Sequence, residues 1–136
     1  MRSVHSENTA PEMKVRSLLH NLGFRFRLHR ADLPGKPDIV LPRYKVALFV
    51  HGCFFHKHNC PRAQREPKTN AGYWRKKRQR NAERDVRAQI ALRKAGWRPV
   101  VVWECELRDF DALGRFLYAK IADRREPKRK RVSNKR

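Results

Sequence analysis

The segment 51–60 reads His-Gly-Cys-Phe-Phe-His-Lys-His-Asn-Cys, and a further cysteine stands at Cys105. Thiolates and imidazoles are the ligands zinc prefers, and three cysteines with one histidine make a closed tetrahedral structural site. Cys53, Cys60 and Cys105 are all the cysteines of the chain. By spacing alone, either His56 or His58 can supply the fourth ligand. Such a site would also hold the stretch 51–72, which is rich in His, Cys, Pro and Asn and has no hydrophobic period. Ligation energy offsets the entropy of ordering a loop of that length. A second chemistry lies just upstream. Asp38 follows Pro37 at the start of the apolar stretch 38–41, and His51 ends the apolar stretch 45–50. If the two stretches pair as a hairpin through Pro42-Arg43-Tyr44, Asp38 and His51 arrive at the same end of a sheet. A carboxylate there can bind Mg2+, and an adjacent imidazole can move a proton or stabilise charge on a phosphate.

The elements that must position these groups are legible in outline. Thr9-Ala-Pro-Glu12 has the residues of a helix start, with Thr9 as N-cap, Pro11 in the first turn and Glu12 completing a capping box. Val15, Leu18, Leu19 and Leu22 form the apolar stripe of that helix, and Gly23 ends it. Phe24–Leu28 alternates at period two, as a half-buried strand does. Pro34, Gly35 and Pro37 punctuate a loop. A long polar helix is expected from about Tyr73 to Ala95, with Ala82, Val86 and Ile90 as its inner face and Gly96 as its stop. Arg98–Glu104 reads as a strand. Asp111 is placed to cap a last helix carrying Leu113, Phe116, Leu117 and Ile121. The order α-β-β-β-α-β-α describes a small sheet covered by helices. One domain over 1–123 is expected, followed by a basic tail, 124–136, which lacks apolar anchors and should order only on a partner.

Charge narrows the partner. The formal net charge is +21, and 40% of the residues are hydrophobic, enough for one core. The tail contributes eight basic residues and one Glu, so most of the surplus belongs to the body, where Arg75–Arg80 alone has five basic residues in six. A surplus of this size fits a polyanion such as DNA. No stretch reaches the ~20 apolar residues of a membrane span, and the N-terminus lacks the pattern of a secretory signal. An odd number of cysteines argues against a closed disulfide framework and for the cytoplasm.

Four separate segments together are similar to one known family: Leu33-Pro-Gly-Lys-Pro-Asp38, Phe49-Val-His-Gly-Cys-Phe-Phe-His-Lys-His-Asn-Cys60, Asn81-x-Glu-Arg-Asp85 and Val102-Trp-Glu-Cys105. They occur in the same order in the very-short-patch repair (Vsr) DNA mismatch endonucleases, and the likeness runs from about Met1 to Leu107. The resemblance implies an α/β, restriction-endonuclease-like fold: a small central mixed sheet flanked by helices, with a structural zinc loop. It implies Mg2+-dependent nicking of one strand 5′ of the thymine in a T:G mismatch, the product of 5-methylcytosine deamination. In the family pattern Asp38 binds the catalytic Mg2+, His56 is general base to the attacking water, His51 assists at the scissile phosphate, and Glu12 supports the hydrated metal. Cys53, His58, Cys60 and Cys105 match the zinc ligands. Phe54, Phe55 and Trp74 match aromatic residues that wedge into the base stack, where a mismatched step is cheaper to unstack than a paired one. Arg75, Lys76 and Lys77, beside Trp74, are the expected phosphate contacts.

Some positions depart from that pattern. The chain begins at Met1-Arg2-Ser3, where typical members carry a longer N-terminal arm around the DNA. Phe55 stands where many have tryptophan, Val50 where some have threonine, and the basic tail matches no family motif. A single active site is enough to nick one strand, so a monomer is expected; other mismatch-repair proteins are conceivable partners. Two rivals share these motifs: a restriction-type or branched-DNA nuclease on the same core, and a zinc-containing module that binds nucleic acid without cutting it. The second has no use for Asp38, His51 and His56.

Overall fold

A computed structural model describes residues 9–53, 60 and 69–123. Helix α1 (Ala10–Asn21) starts as its sequence indicates: Thr9 Oγ1 accepts the Glu12 backbone N–H at 3.3 Å. It ends where Gly23, at φ +91°, takes the left-handed conformation that closes helices. The strand expected over Phe24–Leu28 shrinks to β1 (Arg27–Leu28). Phe24 is instead a core residue, its ring centroid 5.5 Å from that of Tyr44 and 5.8 Å from that of Tyr118. The alternation there records packing rather than pairing.

Strand β2 (Ile39–Leu41) passes through a 3-10 turn (Pro42–Tyr44) and the left-handed Lys45 (φ +58°) into β3 (Val46–His51). Helix α2 (Ala71–Lys94) precedes β4 (Arg98–Trp103); a second 3-10 turn (Glu104–Arg108) and α3 (Phe110–Ala122) complete the described chain. The sheet order is β1-β2-β3-β4. The first two pairings are antiparallel and β3-β4 is parallel, so the sheet is mixed. Among the described residues no helix is long and apolar enough to cross a membrane.

The pleat of β3 divides the molecule. Val46 and Leu48 join Ile39 and Leu41 of β2, Val100 and Val102 of β4, Val15 and Leu19 of α1, and Leu113, Leu117 and Ile121 of α3 in the main core. Ala47 and Phe49 face the other way, onto Leu92 of α2, with Leu33, Trp97 and Val101 around them. Successive side chains of a strand take opposite faces, so His51 and Asp38 fall on the α2 side with Ala47, Phe49 and Val40.

Two expectations for the helices are corrected. The cap of α3 is Asp109, whose Oδ1 accepts the Ala112 N–H at 3.1 Å; Asp111 sits in the first turn, and Phe116 points outward. On α2, Val86 and Ile90 are 57% and 48% exposed. A pure i+4 row advances 400° per step and drifts around a 3.6-residue helix. The face turned inward follows alternating steps of four and three: Trp74, Arg78, Asn81, Asp85, Ala88 and Leu92. It is polar over most of its length because only its last turns cover the sheet. The helix has 24 residues and β3 has six, so about 36 Å of helix lies along roughly 20 Å of strand.

Two contacts fix the layers. Arg98 donates to the carbonyls of Lys120 (2.8 Å), Ile121 (3.1 Å), Asp123 (2.7 Å) and Tyr44 (3.1 Å), tying the end of α3 to the β2-β3 turn. The last carbonyls of a helix lack partners within it, and a guanidinium satisfies several at once. On the other face Gly35, at φ +79°, lets the 33–37 loop slide between α2 and the sheet. A Cβ there would lie 2.7 Å from Ala88 Cβ and 3.2 Å from the Phe49 ring. Gly35→Ala is therefore expected to destabilise the protein by about 1–3 kcal/mol through overpacking and an unfavourable φ. Thermal unfolding checks this, and a melting temperature equal to the parent's would contradict the packing described.

Candidate active site and thiol cluster

Asp38 occupies the turn into β2, and its Oδ2 accepts the Val50 backbone N–H at 2.8 Å. The hydrogen bond spans the hairpin and fixes the carboxylate beside the end of β3, as the hairpin argument requires. His51, the last residue of β3, is buried at that end. Its ring lies between Phe49, centroids 5.6 Å apart, and Trp103, its register partner on β4, at 5.2 Å and nearly edge-on. From α2, Asp85 brings Oδ1 to 3.8 Å from His51 Nε2. Asp85 stands in the Asn81-x-Glu-Arg-Asp85 segment but was not among the expected site residues. Its meeting with His51 depends on how α2 lies on the sheet, which local spacing does not show.

Glu12 approaches from α1, which covers the opposite face of the sheet. It is 1% exposed, and its Oε2 meets Arg16 Nη2, one turn along the helix, and His29 Nε2 at 2.8 Å. The capping role of Thr9 is present, but the Glu12 carboxylate has this further, tertiary environment. His29 is a partner of this buried acid. It too carries no local signature in the sequence.

Beyond His51 the chain reaches Cys53, which is fully buried. The Sγ atoms of Cys53, Cys60 and Cys105 all lie within 4.8 Å of one another. Register explains the meeting: His51 pairs with Trp103 on the parallel strand, so the residues two beyond each, Cys53 and Cys105, leave the sheet side by side. Thiolates around a tetrahedral ion with bonds of about 2.3 Å sit roughly 3.8 Å apart, and the cluster fits that geometry. Burial, reinforced by hydrogen bonds to the Cys105 and Cys60 thiols and only partly offset by the Cys105 backbone N–H, pushes the Cys53 thiol up to about 12. Metal-free, Cys53 is protonated at neutral pH, and a metal must displace that proton to bind. Apparent affinity therefore falls as pH falls.

Trp74 is half-buried near the start of α2, edge-to-face with the exposed Tyr73 at 5.1 Å. Arg75 and Lys76 are exposed and Lys77 is half-buried. These residues lie on the part of α2 N-terminal to Asp85, roughly 20 Å of helix. Phe54, Phe55, His56 and His58, and the tail 124–136, lie outside the described residues.

The mixed sheet flanked by helices is a fold also found in an endonuclease catalytic domain. The fold is similar to that of the catalytic domain of the homing endonuclease I-Bth0305I, with a TM-score of 0.59 and 18% identity over 86% of this chain and 98% of that one. The model of the family described as DNA mismatch endonuclease Vsr matches residues 1–62. The chain is 56% identical to the type II nicking enzyme V.XorIIP of Xanthomonas oryzae pv. oryzae over 83% of its own length and 82% of that protein. It is 42% identical to the DNA mismatch endonuclease Vsr of Escherichia coli, over 83% of this chain and 72% of that protein. The chain belongs to the Vsr family of DNA mismatch endonucleases.

Replacing Cys105 by Ser should remove bound metal, measured by elemental analysis of the purified protein, and lower the melting temperature. Acidifying the parent should release metal before it unfolds the chain. A metal-free parent with an unchanged melting temperature would speak against a structural ion here.

Proposed function

We propose that this protein is a Mg2+-dependent, zinc-stabilised endonuclease that nicks one strand of duplex DNA 5′ of the thymine in a T:G mismatch. The observation that carries the reading is the Asp38 carboxylate anchored beside the end of β3, where His51 meets Asp85 and the thiol cluster follows, with Glu12 linked to this end from the α1 face through His29. Binding DNA does not require an anchored acid beside a buried, acid-paired histidine, whereas hydrolysing a phosphodiester uses both. Family membership supports the mismatch as the target.

Asp38 would hold the Mg2+, which when bound supplies positive charge against the phosphate oxygens. The Val50 N–H keeps the Asp38 carboxylate from rotating away, so the ligand is in place before substrate arrives. His51 is set to donate a proton toward a phosphate oxygen as the water–phosphorus bond forms and the P–O bond to the leaving strand breaks. Asp85 compensates the charge of its imidazolium. Glu12 would orient water on the α1 side, and His56 would take the proton of the attacking water. Cys53, His58, Cys60 and Cys105 would hold zinc and shape the segment carrying His56, Phe54 and Phe55. Those two phenylalanines and Trp74 would enter the base stack, with Arg75, Lys76 and Lys77 on the flanking phosphates. One active site suffices for one strand, so the working unit is a monomer, acting in the cytoplasm.

End-labelled duplexes that are T:G-mismatched, fully paired or branched provide the test. Nicking on the thymine strand of the T:G duplex alone is expected. Asp38→Ala should lower it by about 10²–10³-fold or more, as loss of a charge-stabilising group does, while leaving DNA binding intact. Cutting of another duplex would keep the nuclease and discard the mismatch. Tight binding with no cutting would favour a module that only binds nucleic acid.

A further inference from the structure

We infer that His29 is a positioning residue that locks Glu12 to the strand carrying Asp38, so that the two acids act as one preorganised unit. The inference rests on the proposed catalytic role of Asp38 and Glu12. Asp38 and Glu12 come from elements on different sides of the molecule: a turn in the sheet and a helix packed against the sheet's far face. His29 touches both. Its backbone N–H donates to the Asp38 carbonyl at 3.1 Å, continuing the β1-β2 ladder one residue beyond the Leu28-Ile39 pair. Its ring Nε2 lies 2.8 Å from Glu12 Oε2.

The backbone explains how one residue serves both. At φ +50° His29 is in the left-handed region, costly for a side chain bearing a Cβ. A residue continuing the strand would point its side chain as the pleat dictates. The left-handed turn takes His29 out of that alternation while its N–H still serves the sheet, and the ring reaches α1. Other residues in the chain also adopt positive φ, but His29 combines it with a contact to a buried acid. Toward a carboxylate, which only accepts hydrogen bonds, this contact requires the His29 tautomer that carries its proton on Nε2. Arg16 is a second partner of the same oxygen. Between them, a helical neighbour and a sheet residue leave Glu12 Oε2 little freedom to rotate. Glu12 is then held beside the residue that bonds the Asp38 backbone, without an entropic cost at each turnover.

The positioning role separates from a merely structural one because glycine is at ease at φ +50°. His29→Gly relieves the backbone and removes the ring. If His29 only maintained the fold, nicking per folded molecule would stay at the parent value. The positioning role predicts a kcat on the T:G duplex lower by about 10–100-fold, the usual effect of losing a partner of an active-site ligand. It also predicts an unchanged KM for DNA and a higher Mg2+ concentration for half-maximal rate. His29→Gln, whose amide N–H has similar reach, should recover most of the rate. In a Glu12→Gln background, His29→Gly should add little further loss, since coupled residues are non-additive. Parent-level kcat in folded His29→Gly, or losses that simply multiply in the double variant, would overturn the inference while leaving the active-site reading intact, provided Asp38→Ala is inactive. An active Asp38→Ala would overturn both. Should His29→Gly fold poorly, the folded fraction measured by circular dichroism normalises the rate, and a normal rate per folded molecule still decides against positioning.

Discussion

The pairing of β3 with both its neighbours, and the two-residue period of its side chains, is the constraint on which the rest depends. Val46 and Leu48 are fully buried against α1 and α3, and Ala47 and Phe49 against α2. A slip of one residue would turn both sets to the wrong face and remove several buried aliphatic side chains from their contacts, at about 1.5–3 kcal/mol each. That cost sets the register. Once it is set, the positions of His51, Asp38, Cys53 and Cys105 follow without further choice. His51 is the next residue on the α2 face after Phe49. Asp38 is one residue before Ile39 of the Ile39-Leu48 pair, and the two cysteines leave adjacent parallel strands two residues after a matched pair.

The site is consequently assembled by backbone pairing rather than by side-chain affinity. Asp38 is held by a main-chain N–H, and His51 by flanking aromatic rings. Both sets of partners belong to the sheet itself, so the two side chains are positioned by the fold. Helix α2 contributes differently. Its last turns pack on the sheet through Ala88 and Leu92, and the tight seat of Gly35 under Ala88 sets its height. Asp85, one turn before Ala88, then meets His51, and the basic N-terminal half extends past the sheet where a polyanion can be held. One element thus joins the core, the candidate site and a basic surface.

The thiol cluster balances a different problem. The chain between β3 and α2 is long and poor in apolar residues, so hydrophobic burial cannot order it. Cys53 and Cys60 beyond β3 and Cys105 beyond β4 place three thiols where a metal ion can be held, a tie that needs no apolar core. The raised Cys53 thiol shows how strongly that spot disfavours charge in the absence of a metal.

How much of this the sequence reveals depends on whether a residue acts through neighbours in the chain or across the fold. Thr9 as N-cap, Gly23 as stop, the β2-β3 hairpin and the apolar stripe of α1 are local, governed by backbone geometry within a few residues, and they are legible directly. The ligand-rich run 51–60 and the approach of Asp38 to β3 are legible because a hairpin has a simple register. Phe24 reads as a strand residue because aromatic packing and strand pairing share the same alternation, and Val86 reads as buried because apolar character alone does not tell which face of a helix meets the sheet. The pairs Glu12-His29 and His51-Asp85 leave no trace in local spacing. Each joins residues from separate elements, and only the stacking of α1 and α2 on opposite faces of one sheet brings them within hydrogen-bonding or ion-pair distance. The sequence by itself determined the elements, the charge and the ligand types. The tertiary structure decided which acid meets which histidine, because those meetings are set by layer packing and strand register, which no single segment encodes.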